Sequence, residues 1–153
     1  MQVTRNGDFK KVVRARMAET GETYTAALAA VRESDPYDDA RREQERVVSR
    51  LFADGRIQRV PAKRRTRVAV LLEVLRRFEP GRVYAEKEVD AILLGVHEDF
   101  AYLRRELVNY RYLVREDGRY RTAPAAPERM PVERQEIPAW EAVWLPPFLA
   151  GRS

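Results

Sequence analysis

The sequence predicts a mainly helical α+β protein: a winged helix-turn-helix preceded by an N-terminal helical hairpin and followed by an aromatic tail. Three observations predict it. Between Pro61 and Thr122 apolar residues recur at helical spacing in three consecutive stretches. A Pro-Gly turn and a short extended piece separate the first stretch from the second. An Asp-Gly turn between two short extended segments closes the region as a hairpin. Two close helices joined by a tight turn, then a hairpin, form a shape that can place one helix in a nucleic-acid groove.

The first helix is capped by Asp8, carries Phe9, Val12, Val13 and Met17, and stops at Gly21. Thr23 or Thr25 starts a second, with Ala27, Leu28 and Val31. This hairpin, residues 1–34, is alanine-rich and too small to stand alone, so docking or pairing with another protomer is expected. Ser34-Asp35-Pro36 opens a third helix with proline at its first position. Val47, Val48, Leu51 and Phe52 give it an apolar stripe, and Gly55 a stop. Ile57-Gln58-Arg59-Val60 alternates like a short strand.

Residues 35–122 then read as a winged-helix domain with that leading helix. Val68, Leu71, Leu72, Leu75 and Phe78 line the next helix, which runs into Glu79-Pro80-Gly81 and the extended Arg82-Val83-Tyr84. Val89, Ile92, Leu93 and Val96 line a further helix that breaks near Gly95. A restart at Glu98-Asp99 turns Phe100, Leu103, Leu107 and Tyr110 inward. Tyr112-Leu113-Val114, the turn Glu116-Asp117-Gly118 and Tyr120-Arg121-Thr122 form the wing. Residues 123–153 begin as a linker marked by Pro124, Pro127 and Pro131. They end in an arm containing Ile137, Trp140, Val143, Trp144, Leu145, Phe148 and Leu149. Pro138, Pro146 and Pro147 predict a short helical turn and an extended arm there. So large an apolar set must dock in its own domain, a second protomer or a partner. Trp140, Trp144, Phe148 and Leu149 are the candidate partner-binding residues.

Composition narrows the function. The chain of 153 residues has no cysteine, which excludes disulfides, thiolate nucleophiles and thiolate metal sites. No apolar run is long enough for a bilayer, and the charged N-terminus lacks a signal-peptide core, so a cytoplasmic protein is expected. Net charge is +5, yet residues 41–70 alone carry ten Arg/Lys against three acids. Such a patch is either an electrostatic footprint for phosphate or a solvated face.

Within it, Lys63, Arg64, Arg65 and Arg67 open a helix whose positive dipole end they oppose, which points to an anionic partner rather than to helix stability. On the third winged-domain helix, Glu98, Ala101, Tyr102, Arg105 and Asn109 face outward. Arg and Asn are the types that read guanine and adenine bidentately. Glu98 and Asp99 would repel phosphate, and Arg105 could instead pair with Glu98 or Glu106. In the wing, Arg115, Arg119 and Arg121 share a face if the strands register suitably, and can grip phosphate or protect an edge. His97, the only histidine, has no partners for zinc and no Ser or Cys nucleophile in a recognisable motif, so it reads as a turn residue. No metal, cofactor or catalytic activity is expected.

Several ordered segments carry a resemblance. They are Phe52-Ala53-Asp54-Gly55-Arg56-Ile57, Pro61-Ala62-Lys63-Arg64, Arg77-Phe78-Glu79-Pro80-Gly81-Arg82-Val83-Tyr84, Glu86 to Val89, and His97 through Val108. Together they resemble the domain of unknown function 2087 family, found in bacterial proteins that include predicted transcriptional regulators. The resemblance covers a little under half the chain and implies a winged-helix-like module in a regulatory setting. Ala85 departs from it, standing where a Thr or Ser cap is expected. The function expected is a DNA-binding transcriptional regulator. The alternatives are a protein-interaction adaptor docking an acidic partner, or an RNA- or ribosome-binding protein.

Overall fold

The computed structural model describes residues 6–33 and 35–151; the side chains of Phe9 and Val31, and the helix-start residue Ser34, lie outside the described residues. It is an α+β structure, mostly helical with two small antiparallel sheets. Two compact units divide at Asp39 and Ala40.

The first unit holds α1 (Asn6–Thr20) and α2 (Tyr24–Glu33), which pack on each other and bury Val13 and Ala27. Helix α1 starts two residues earlier than expected, so Asp8 lies inside its first turn rather than at its cap. Gly21 ends it at φ +75°, with its N–H donating to Met17 O at 2.8 Å. Thr23 caps α2, its Oγ1 accepting from the Ala26 N–H at 3.2 Å.

The second unit is built on α4 (Arg64–Leu75). Val68, Ala69, Val70, Leu71, Leu72, Val74 and Leu75 are all buried, so this helix is covered on nearly every side. Around it lie α3 (Pro36–Leu51), α5 (Glu86–Leu94), α6 (Phe100–Asn109) and α8 (Trp140–Leu149). Pro36 opens α3 as expected, with Asp35 Oδ1 accepting from the Asp38 N–H at 3.3 Å.

Gly55 does not stop α3. The helix ends at Leu51, and Asp54 (φ 53°) with Gly55 (φ 77°) turns a two-residue hairpin, β1 (Phe52–Ala53) with β2 (Arg56–Ile57). Two consecutive left-handed residues suit a primed hairpin turn, and Asp-Gly tolerates them.

Over residues 61–122 the order of elements is the expected one: helix, strand, helix, helix, hairpin. Strand β3 (Tyr84–Ala85) pairs with β5 (Arg119–Thr122), which pairs with β4 (Leu113–Glu116), giving the order β3-β5-β4. The first strand starts later than expected, and Val83 stays outside the sheet at 51% exposure. Pairing with β5 covers only Tyr84 and Ala85, and the exposure of Val83 follows from alternation, since Tyr84 points into the core.

The tail also differs. After an irregular stretch and the short α7 (Pro131–Arg134), α8 runs helically through Pro146 and Pro147 instead of opening into an extended arm. Each proline removes a backbone donor, at a cost of about 3 kcal/mol in a helix interior. Burial of Trp140, Leu145 and Leu149 in the core offsets it, at roughly 1.5–3 kcal/mol per large apolar side chain. Among the described residues no helix is long and apolar enough to cross a membrane.

Candidate nucleic-acid interface

The turn from α5 to α6 is fixed by a few polar contacts. Asp99 caps α6, its Oδ1 accepting from the Tyr102 N–H at 3.3 Å. His97 Nδ1 accepts from the Asp99 N–H at 3.0 Å, while Nε2 lies 3.3 Å from Gln58 O. Because Nδ1 accepts, Nε2 carries the proton and donates to the Gln58 carbonyl. His97 is thus a turn residue, as its isolation in sequence suggests, and its link to Asp99 runs through backbone rather than the carboxylate.

Leu103 and Leu107 are buried, which leaves Arg105 and Asn109 exposed on the far side of α6. Tyr102 is not on that open face. It is half-buried, and its hydroxyl donates to Glu106 Oε1 at 3.2 Å. Burial, and then the charge of Glu106, raises its phenol above the ordinary tyrosine range. The Asn109 amide donates to Glu106 Oε2 at 3.1 Å.

The wing turns at Asp117 (φ 51°) and Gly118 (φ 73°). Its register pairs Arg115 with Tyr120, Val114 with Arg121 and Glu116 with Arg119. Directly paired residues share a face, so Arg115 lies on the face of buried Tyr120 while Arg119 and Arg121 lie on the other. The three wing arginines therefore do not form a single row. The separation has a consequence: Arg115 leans over the gap between wing and helix, its guanidinium 6.0 Å from the Tyr120 ring.

That gap is a groove of about 360 Å³ lined by Glu86, Arg104, Arg105, Val108, Asn109, Arg115 and Tyr120. It brings together Arg105 and Asn109 of α6 with Arg115 of the wing, which the sequence places on two separate elements. Arg104 and Glu86 were not legible as groove residues. Arg104 is paired with Asp90 of α5, and Glu86 accepts from the Tyr120 hydroxyl at 2.9 Å. The Arg104–Asp90 pair is neutral overall and Glu86 keeps its negative charge, so Arg105 and Arg115 together outweigh it and leave the groove net positive.

Residues 56–122 match the family described as "Uncharacterized protein conserved in bacteria (DUF2087)". Over that segment, a little under half of its length, the chain is similar to this family. No curated protein and no solved structure matches the chain.

The basic cluster at the start of α4 ties the DUF2087 segment to chain outside it, contrary to the dipole argument. Arg65 makes a bidentate pair with Glu43 of α3 at 2.9 and 3.0 Å, and donates to Ile137 O of the tail at 2.8 Å. Arg64 pairs with Glu136. Arg67 lies 3.4 Å from Glu106 of α6 and donates to Ala62 O at 2.9 Å; both side chains are mostly buried, at 17% and 15% exposure. Three of the four cations therefore hold the domain together. Of the four, Lys63 is exposed with no side-chain ion pair or hydrogen bond among the described residues.

The tail residues read as partner-binding are likewise engaged at home. Trp140 and Leu149 are buried in the domain's own core, and Trp144 and Phe148 pack against it half-buried. Trp140, Trp144 and Phe148 stack at centroid distances of 6.1 and 4.5 Å. Below them Glu141 accepts from the Tyr112 hydroxyl and from Arg129, whose Nη2 sits at 2.8 Å. Arg129 also donates to Tyr110 O at 2.8 Å and lies over the Tyr110 and Tyr112 rings. Burial, reinforced by Glu141, raises the Tyr112 phenol far above its ordinary range. Among the described residues no group of three or more His, Asp or Glu is placed to hold a metal ion.

Proposed function

We propose that the protein is a cytoplasmic DNA-binding regulator of the winged helix-turn-helix type, acting by binding rather than catalysis. In this reading α5 and α6 are the helix-turn-helix and α6 enters the major groove, whose width of about 12 Å admits one helix. The β4–β5 wing contacts the backbone. The observation that carries the reading is the groove in which Arg105, Asn109 and Arg115 converge between α6 and the wing. Arg105 and Asn109 stand four residues apart on one exposed face, so both reach base edges from one helix orientation. Arg115, Arg119 and Arg121 supply phosphate contacts from both faces of the wing.

Selection from a random duplex pool tests this. The protein should enrich a sequence, and the Arg105→Ala and Asn109→Ala variants should lose about 1–3 kcal/mol of discrimination at the positions each reads. Failure to bind any duplex at low salt would sink the proposal. Binding to structured RNA instead, or to one acidic protein, would move the same basic face to another class of partner. Half-exposed Trp144 and Phe148 give the protein-docking alternative its one specific foothold.

A further inference from the structure

The segment Gln58–Lys63 runs beside α6 from its first turn to its third. At one end the Gln58 carbonyl meets His97, two residues before the α6 cap, at 3.3 Å. At the other end Arg67 donates to Pro61 O at 3.3 Å and Ala62 O at 2.9 Å while facing Glu106 at 3.4 Å. The β1–β2 hairpin pins the start of this run. Ile57 N–H donates to Val96 O in the α5–α6 turn at 3.0 Å, and Arg56 to the O of Leu94, the last residue of α5, at 2.8 Å.

Helical geometry locates this flank. At about 100° per residue, Tyr102 and Glu106 lie to one side of Arg105, and Arg104 and Val108 to the other. Glu106 is joined to the Pro61–Lys63 end through Arg67, whereas Arg104 and Val108 line the groove under the wing. Arg105 is therefore a crest with the wing on one side and residues 58–63 on the other. Val60 and Pro61 are half-buried on the run, while Arg59 and Lys63 are exposed and their side chains make no hydrogen bond or ion pair among the described residues.

We infer that Arg59 and Lys63 form a second phosphate-contacting rail, so that duplex DNA is gripped on both sides of α6. The inference rests on the duplex-binding reading above and adds to it a flank opposite the wing. The rail also answers the difficulty posed by Glu98 and Asp99 at the start of α6. Arg59 adjoins the residue bonded to that same turn and offsets the two acids where the backbone would pass. Arg59 and Lys63 are four residues apart, a reach of up to about 14 Å in extended chain. That is commensurate with the roughly 10 Å from Asp99 to Glu106 along α6.

The test measures affinity for a labelled 30-base-pair random-sequence duplex across a salt series, using the full chain. Arg59→Gln and Lys63→Gln should each flatten the slope of log affinity against log salt by about 0.9, and together by about 1.8. Arg46→Gln, on the exposed surface of α3, is the charge-matched control and should leave the slope unchanged. Circular dichroism melts should show all three variants folded. A parent that binds no duplex overturns both the functional reading and the rail. Parental binding that weakens with Arg115→Gln but keeps its slope with Arg59→Gln and Lys63→Gln retains the reading and overturns the rail alone. A slope lowered equally by Arg46→Gln also overturns it, because net charge rather than position would then be acting.

Discussion

Removing Arg129 should cost the domain more than any other single truncation of a charged side chain. Its side chain is 6% exposed and that of Glu141 is 8% exposed, so the pair is screened little by solvent. Arg129→Ala leaves the Glu141 carboxylate buried, with only the Tyr112 hydroxyl as a donor. It also frees Tyr110 O and removes a cation from the faces of two tyrosines. Breaking a buried ion pair from one side costs about 3–5 kcal/mol. The unit Ala40–Ser153 has 114 residues. At about 2.1 cal/mol/K per residue, its unfolding entropy converts that loss to a fall in Tm of roughly 12–20 °C. Differential scanning calorimetry would read it directly. The triple variant Arg129→Met, Glu141→Leu, Tyr112→Phe removes all three polar partners together and should recover most of the loss. A fall below about 3 °C for Arg129→Ala would refute the reasoning, because the pair would then be behaving like a surface bridge.

Other outcomes follow from the same contacts. Ala85→Ser should supply the missing acceptor at the start of α5, where Glu88 already accepts from the Ala85 N–H at 2.9 Å. The gain should be about 1 kcal/mol in a chemical denaturation curve. Reversing Lys63, Arg64, Arg65 and Arg67 to Glu should abolish cooperative folding, since Arg65 and Arg67 bind Glu43 and Glu106; a native circular dichroism melt would contradict this. Deleting residues 137–153 should likewise unfold the second unit rather than merely dissociate an oligomer, because Trp140, Leu145 and Leu149 leave its core; calorimetry with light scattering separates the outcomes. The raised Tyr112 phenol contributes stability that is complete below the unfolded tyrosine value of about 10 and lost as pH rises past it. In a phenolate absorbance titration Tyr112 should ionise only with alkaline unfolding, and Tyr112→Phe should remove that part of the pH dependence.

What the sequence revealed is what local spacing encodes. The inward set Phe100, Leu103 and Leu107 and the Asp117-Gly118 turn each fit within a dozen residues, and both elements stand where they were expected. The hairpin at Asp54-Gly55 was hidden because two-residue strands carry no periodicity, and a glycine just after a helix resembles its stop. The roles of Arg65 and Arg67 were illegible for a different reason. Their partners Glu43, Glu106 and Ile137 are 22, 39 and 72 residues away, and only the folded chain brings them together. The wing register shows the same limit: alternate spacing of Arg119 and Arg121 is visible, but which residue opposes Arg115 depends on pairing. For the tail, apolar content demanded burial without naming the surface. That surface is the α4 side of its own domain.

The account's central claim is that α6 and the wing are the face that meets DNA. An NMR titration of the isotope-labelled protein with its selected duplex tests it most directly. Amide shifts should concentrate on residues 100–109 and 113–122, strongest at Arg105, Asn109 and Arg115, with the interior of α8 unmoved. Shifts confined to α8 around Trp144 and Phe148, or to the hairpin of α1 and α2, would contradict it.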